Sequence, residues 1–130
     1  MKGNKVPRPT ESELEILQLL WAKGPSTVRQ INETLQVERI VGYTTTLKLM
    51  QIMLEKQLLT RDDNQRTHIY QAAVTEGDTQ KKLLNKFVDA TFRGSAMKLV
   101  MQALGNSNAS KEELEAVKKL IQEMEEKQTK

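Results

Sequence analysis

The chain has 130 residues, of which 38% are hydrophobic and 28% charged, a composition typical of a soluble protein with one or two small domains. It contains no cysteine, which excludes disulfides and thiolate chemistry, and no stretch approaches the roughly 18 apolar residues of a membrane-spanning helix. The net charge is only +3, so a nucleic-acid partner is permitted by charge but must be argued from where the basic residues lie.

Two short amphipathic helices are predicted at the start of the chain. The segment TESELEILQLLWAKGP opens with a capping box of Thr10 and Glu13 and ends at Gly24 and Pro25. The segment STVRQINETLQ opens in the same way, with Thr27 as the capping residue. The expected core of this first domain is Leu14, Leu17, Trp21, Ile31, Leu49 and Met53, with Trp21 at its centre.

A third helix is predicted for residues 43–56, after the linking segment QVERIVG. It begins with three consecutive threonines, which are poor helix-interior residues because β-branching restricts their side chains. At a helix start, threonines can cap backbone amides, and they can also contact phosphates or thymine methyl groups; both interpretations stay open. The core face of this helix is predicted to carry Leu49, Met50 and Met53, with Thr45 or Thr46. The opposite, polar face carries Thr44, Lys48, Gln51 and Glu55.

A β-hairpin is predicted next, with strands at residues 58–61 and 66–74 joined by the turn residues 62–65. Three helices followed by a hairpin within about 75 residues is the order of a winged helix-turn-helix. In that fold the third helix enters a DNA major groove and the hairpin tip touches the backbone. We therefore expect a winged-helix DNA-binding domain at residues 1–75.

Residues 76–130 are predicted to form a helical dimerisation domain, so the expected fold class is mainly α with a small β-hairpin wing. Its first part is either one kinked helix or two, with a break at Gly94 and Ser95 and a stop at Gly105.

The last helix is predicted to start at a capping box of Ser110 and Glu113. It carries a short heptad seam formed by Leu114, Val117, Ile121 and Met124. Such a seam can pair with a second copy of the chain or with a foreign helix. The alternative function is therefore an adaptor that pairs through this helix and never binds DNA.

No pattern typical of an enzyme is present. His68 is the only histidine, and it lies in a predicted strand without a second base or a nucleophile near it in sequence. Glutamates cluster in the first turn of the first helix, where negative charge favours the helix dipole. We expect no enzymatic activity, no cofactor and no metal site, and a cytoplasmic location without a membrane partner.

Three segments of the chain resemble the penicillinase-repressor family: TESELEILQLLW, YTTTLKLMQIMLEKQLL and RTHIYQAAV. This family comprises winged-helix repressors of β-lactamase, methicillin-resistance and copper-transport genes. The resemblance implies a homodimer that represses transcription from a palindromic operator in double-stranded DNA. It also implies the DNA contacts Tyr43, Thr44, Thr45, Lys48 and Gln51 on the third helix and Arg66 on the wing. For a single lysine or glutamine, a solvated helix face is the alternative.

Two features of the family are not matched. Copper-responsive members carry cysteines near the C-terminus, and this chain has none. Antibiotic-responsive members are cut at an Asn-Phe bond in the C-terminal helical region by a membrane-embedded sensor peptidase, whereas the corresponding segment here reads VMQALGN. The resemblance therefore supplies no inducing signal, and a sensor peptidase is only a possible partner.

Overall fold

A computed structural model of the protein describes residues 8–129, so the first seven residues of the predicted DNA-binding domain lie outside it. The described residues form a mainly helical fold with one antiparallel hairpin, which confirms the expected fold class. The elements are α1 (Glu11–Lys23), α2 (Val28–Leu35), α3 (Tyr43–Glu55), β1 (Leu59–Asp62), β2 (Ile69–Ala72), α4 (Glu76–Phe92), α5 (Ala96–Asn106) and α6 (Lys111–Gln128). Within residues 8–129, no helix combines the length and the apolar character needed to cross a membrane.

The chain divides into two compact units, Met1–Leu84 and Asn85–Lys130. The boundary between the units lies within α4. Residue 75, where we placed the end of the DNA-binding domain, is the last residue before α4 begins. That assignment of domains stays a prediction.

The first unit is held together by a core that three helices and the hairpin share. Trp21 is half-buried at the edge of this core, so its expected central place was wrong. Its indole N–H donates to the Val74 carbonyl at 3.0 Å, which fastens the chain leaving β2 to α1. The buried hydrophobic residues of this core are Ile16, Leu17, Leu20, Val28, Ile31, Leu35, Met50, Met53, Leu58, Leu59 and Tyr70. Of the other expected core residues, Leu14 and Leu49 are half-buried.

The hairpin is shorter than predicted and has a longer loop. Strands β1 and β2 pair from Leu59 with Ala72 to Asp62 with Ile69, which leaves residues 63–68 as the loop. The Asp62 carboxylate accepts a hydrogen bond from the Asn64 amide at 2.9 Å, a local turn that ends β1 and its pairing. The second strand therefore begins at Ile69, and Arg66 and His68 belong to the loop rather than to a strand.

A short extension of this sheet connects the hairpin to α2. Ser26 and Tyr70 exchange two backbone hydrogen bonds, of 2.9 and 2.8 Å, immediately before α2 begins. Because Tyr70 is only 1% exposed, this pairing anchors the hairpin in the core. The first unit is thus a winged helix-turn-helix whose wing is fixed to the segment that enters α2.

A buried amide fixes the turn between α2 and α3. The two N–H groups of the Asn32 side chain are shared among three acceptors: the Thr46 hydroxyl at 2.8 Å, and the carbonyls of Val41 at 3.0 Å and Gly42 at 3.3 Å. Asn32 is 5% exposed and Thr46 1% exposed, so water cannot replace these partners. One side chain therefore determines where α3 begins relative to α2.

A partly buried ion pair connects the start of α1 to the end of α3. Glu13 completes the capping box of α1 with Thr10, and its other carboxylate oxygen lies 2.7 Å from the ammonium of Lys56. Burial opposes ionisation of this carboxyl, but the hydrogen bonds from Lys56 and Thr10 and the lysine charge hold the pKa of Glu13 below its ordinary value. The carboxylate is therefore charged in the folded protein at neutral pH.

The second unit resolves the question of one helix or two. Two consecutive residues with positive φ, Arg93 at 53° and Gly94 at 85°, end α4, and Ser95 then caps α5. A continuous helix cannot contain such residues, because the left-handed conformation breaks its hydrogen-bond ladder. The predicted stop at Gly105 was one residue early, since α5 ends at Asn106. The capping box of Ser110 and Glu113 is present as predicted.

We predict that Glu13→Gln lowers the free energy of unfolding by about 1.5 to 3 kcal/mol at pH 7, because a hydrogen bond between charged groups is lost. The glutamine can still cap α1, as Gln30 does for α2. Because the pKa of this carboxyl is lower in the folded state than in the unfolded state, ionisation of Glu13 stabilises the fold at pH values above the unfolded-state pKa. This stabilisation is lost as the pH falls through the folded-state pKa. The stability difference between parent and variant should therefore shrink from pH 6 to about pH 3, measured by urea denaturation.

The matched control for this experiment is Glu33→Gln, an exposed glutamate of α2 that makes no ion pair with any residue between 8 and 129. It should change stability by less than about 0.5 kcal/mol. A gap for Glu13→Gln that stays constant across the pH range would contradict the role of the ion pair.

A second prediction compares two neighbouring threonines of α3. Thr46→Val should destabilise the protein by about 1 to 3 kcal/mol, because the buried Asn32 amide loses the shortest of its three hydrogen-bond contacts. Thr45→Val is the same substitution at an exposed position and should stay within about 0.5 kcal/mol of the parent. Equal free energies of unfolding for the two variants would show that the Asn32 amide is not a source of stability.

Candidate nucleic-acid interface

Helix α3 has one polar face that nothing in the described residues covers. Thr46, Met50 and Met53 are buried on its inner side, as the helical periodicity predicted. Of the two threonines left open for the core face, Thr46 is the buried one and Thr45 is exposed. The five expected contact residues of this helix, all exposed, are Tyr43, Thr44, Thr45, Lys48 and Gln51. Their contact with DNA stays a prediction.

The three threonines at the start of α3 have different surroundings. The N-cap of this helix is Gly42, and no side chain caps it, so the interpretation of the threonines as capping residues was wrong. Thr46 serves the buried Asn32 amide, while Thr44 and Thr45 present their hydroxyl and methyl groups to solvent. Hydroxyl groups can bind phosphate oxygens, and a threonine methyl can pack against the methyl group of thymine.

The wing loop carries the sixth expected contact, Arg66, in an exposed position. A neighbouring arginine, Arg61, is instead paired with Asp63 at 2.6 Å, and its hydrogen bonds lower the pKa of that carboxyl. The nitrogen Nε2 of His68 lies 3.8 Å from the same carboxylate, and both side chains are exposed.

The basic residues of the first unit fall into two groups. Arg39, Lys56 and Arg61 each lie within ion-pair distance of a carboxylate. The Arg39 guanidinium makes two hydrogen bonds with Glu15, of 2.8 and 2.6 Å, which lower the pKa of Glu15. The other basic residues described in this unit have no carboxylate within ion-pair distance in residues 8–129: Arg8, Lys23, Arg29, Lys48, Arg66, Lys81 and Lys82.

Three of these unpaired cations lie on the elements that a helix-turn-helix directs at DNA: Arg29 on α2, Lys48 on α3 and Arg66 in the wing loop. Cations that a protein leaves without carboxylate partners are available to neutralise phosphates. Part of the unpaired positive charge of the first unit therefore occurs on these elements.

Sequence reasoning missed Arg29 as a candidate site residue. Its guanidinium carbon lies 5.8 Å from the centre of the Tyr43 ring, within the range of a cation–π interaction. The two residues are on different helices, so no local spacing could have paired them.

The turn between α2 and α3 also exposes two apolar side chains, Val37 at 82% and Ile40 at 100%. This segment was predicted only as a link between the two helices.

In the second unit, α6 bears the expected seam residues. Leu114, Ile121 and Met124 are each about half exposed, and Val117 is half-buried. Exposed apolar residues also occur on α5, including Met97 and Met101. Across the described part of the chain, no cluster of side chains is suited to hold a metal ion.

The chain is similar to known repressors along most of its length. The sequence model described as "Penicillinase repressor" matches residues 9–123. The methicillin resistance regulatory protein MecI of Mammaliicoccus sciuri is 22% identical over 118 residues, which are 91% of this chain and 96% of MecI. The transcriptional regulator BlaI of Mycobacterium tuberculosis is 33% identical over 67 residues, 51% of this chain and 49% of that protein.

Two solved structures are similar in fold to part of this chain. The solution structure of the DNA-binding domain of the repressor BlaI has a TM-score of 0.51 at 19% identity and covers 57% of this chain and 90% of that one. The monomeric form of Bacillus licheniformis BlaI in complex with the blaP half-operator has a TM-score of 0.50, with the same identity and coverage. With the match over residues 9–123, the chain belongs to the penicillinase repressor family of DNA-binding transcriptional repressors.

Proposed function

We propose that this repressor acts as a homodimer on a palindromic operator, with α3 of each subunit in a major groove and the wing loop on the adjacent backbone. The observation that carries the proposal is the uncovered polar face of α3, flanked by cations that lack carboxylate partners in residues 8–129. The family consists of repressors, which sets aside both an enzyme and the adaptor that never binds DNA.

Each exposed group of α3 has a defined chemical task in this proposal. The Gln51 amide can pair with the N6 and N7 atoms of adenine, and it is the best candidate for a base-specific contact. Lys48 can reach a phosphate or the acceptor edge of guanine. Thr44 and Thr45 lie in the first helical turn, where the N–H groups of α3 point outwards without a side-chain cap. That end of a helix favours the negative charge of a phosphate.

The exposed apolar side chains of the second unit support a homodimer. Val88 is the single hydrophobic residue from 85 to 129 that is buried, at 7% exposed, while Phe87 and Ile121 are each about half exposed. Helices with so much exposed apolar surface are stabilised by covering it. A second copy of the chain supplies a matching set of apolar faces, since isologous contacts use the same patch on both subunits.

Dimerisation and operator binding are coupled in the proposal. One winged helix makes few base contacts, whereas a dimer makes the second half-site encounter intramolecular and can raise avidity about 10²- to 10⁴-fold. A palindromic operator follows from the twofold symmetry of the dimer. The protein acts in the compartment that holds the DNA, which we take to be the cytoplasm. A sensor peptidase has no part in the proposal, because residues 100–106 contain no Asn-Phe bond.

We predict that Gln51 and Arg66 contribute to DNA binding in different ways. Gln51→Ala should relax base preference at one position per half-site by about 1 to 3 kcal/mol, because a bidentate base contact is lost. Arg66→Ala should weaken operator and random duplex alike and reduce the salt dependence of binding. Operators selected from random duplexes, followed by anisotropy titrations at several salt concentrations, measure both effects.

The control for Gln51→Ala is Gln18→Ala, the same substitution at an exposed position of α1. It should leave both affinity and base preference at the parent values. Equal losses for Gln51→Ala on operator and random DNA would show that this face of α3 does not read bases.

We also predict that replacing Leu114 and Ile121 together with aspartate separates the dimer, because burying carboxylates in an apolar seam costs several kcal/mol. The variant should sediment as a monomer, keep a folded first unit, and bind the operator about 10²-fold or more weakly. The matched control combines Ala116→Asp with Lys119→Gln, which makes the same total change of charge elsewhere on α6. A monomeric variant that binds a full palindrome as tightly as the parent would contradict the coupling.

A further inference from the structure

Arg29 and Tyr43 form an open pair at the edge of the candidate interface. Arg29 is exposed near the start of α2, and Tyr43, the first residue of α3, is 46% exposed. The guanidinium carbon lies 5.8 Å from the ring centre, so the ring attracts the cation and covers one of its faces. The pair thus connects the two helices of the helix-turn-helix on their solvent side.

A second arginine–tyrosine pair in the same unit differs from this one, because its arginine also binds a carboxylate. Arg61 lies 5.9 Å from the ring centre of Tyr70, nearly the same distance. Its nitrogens Nε and Nη2 also donate to Asp63, at 2.6 and 3.3 Å. The charge of Arg61 is therefore neutralised within the protein.

Arg29 has no such acceptor. None of its guanidinium nitrogens donates to a group in residues 8–129, and no carboxylate there lies within ion-pair distance of it. A guanidinium carries five N–H donors in a planar fork that fits two oxygens of a phosphate. The Tyr43 ring holds this fork in place while its donors remain available to a ligand.

We propose that Arg29 binds a backbone phosphate of the operator next to the groove that α3 enters, and that Tyr43 is the residue that positions it. The inference rests on the proposed DNA binding and adds to it a contact from α2. The first helix of a helix-turn-helix crosses the DNA backbone, so a cation on α2 faces phosphates rather than base edges. Holding the arginine in advance removes part of the entropy lost when a long side chain is fixed on binding.

The test uses full-length protein and measures dissociation constants for a selected operator and for random duplex at several salt concentrations. Arg29→Ala should bind both duplexes about tenfold more weakly, because a phosphate contact carries no sequence information. The slope of log affinity against log salt should fall by about 0.9 per half-site. Arg29→Lys keeps the charge and should keep the parent slope, with an intermediate loss of affinity.

Tyr43 is tested by its ring and not by its hydroxyl. Tyr43→Leu should weaken binding by about two- to fivefold, and Tyr43→Phe should weaken it less because the ring is kept. In an Arg29→Ala background, Tyr43→Leu should cost less affinity than it does in the parent, because the arginine that the ring positions is absent. In an Arg66→Ala background it should keep its full cost, because Arg66 is in the wing loop and has no contact with this ring.

The outcomes separate this inference from the proposed function. A parent protein that binds no duplex overturns both. If the parent binds with a steep salt slope and Arg29→Ala keeps its affinity and slope, only the phosphate contact is overturned. Additive losses from Arg29→Ala and Tyr43→Leu, or a Tyr43→Phe as weak as Tyr43→Leu, overturn the positioning role of the ring. Thermal melting of each variant, expected at the parent temperature for these exposed positions, shows that the fold is kept.

Discussion

The buried side-chain amide of Asn32 is the constraint on which the geometry of the first unit depends. Its two N–H groups are shared among the last two carbonyls of the turn before α3 and the hydroxyl of Thr46 within that helix. A helix-turn-helix reads DNA only if its second helix stands at a fixed angle and register to the first. Packing of apolar side chains resists separation of the helices but is not directional, whereas hydrogen bonds to named atoms fix the register. The hydrogen bonds of the Asn32 amide therefore fix the register of α3 relative to α2, which the hydrophobic contact between the two helices leaves open.

Ion pairs within the first unit determine which of its cations remain free to bind an anionic partner. Glu13 and Glu15 on α1 neutralise Lys56 and Arg39, two cations of segments that flank α3. Arg29 on α2, Lys48 on α3 and Arg66 in the wing loop are among the cations of the first unit that have no carboxylate partner in residues 8–129. For binding a polyanion, the distribution of charge matters more than its total, because only cations that reach phosphates release counterions.

Much of this could be predicted from the sequence because the deciding interactions are local. The capping boxes at Thr10, Thr27 and Ser110 join residues three apart, and each was found as predicted. The polar face of α3 followed from helical periodicity alone. The wing was predicted to exist, but its second strand began three residues late, since a side-chain turn at Asp62 competes with cross-strand pairing. Trp21 was placed too deep because hydrophobicity predicts burial, while the indole N–H requires an acceptor near the edge of the core.

By itself the sequence determined the order of helices and hairpin, the start of each capped helix, the outward face of α3 and the resemblance to a repressor family. Only the tertiary structure decided which of three adjacent threonines is buried, which cations are neutralised, and that Arg29 meets Tyr43. Those outcomes join residues separated by 14 positions for Asn32 with Thr46 and by 43 for Glu13 with Lys56. Periodicity and propensity describe neighbours within a few residues along one helix or strand. Contacts between elements depend on how the elements pack, which no local pattern contains.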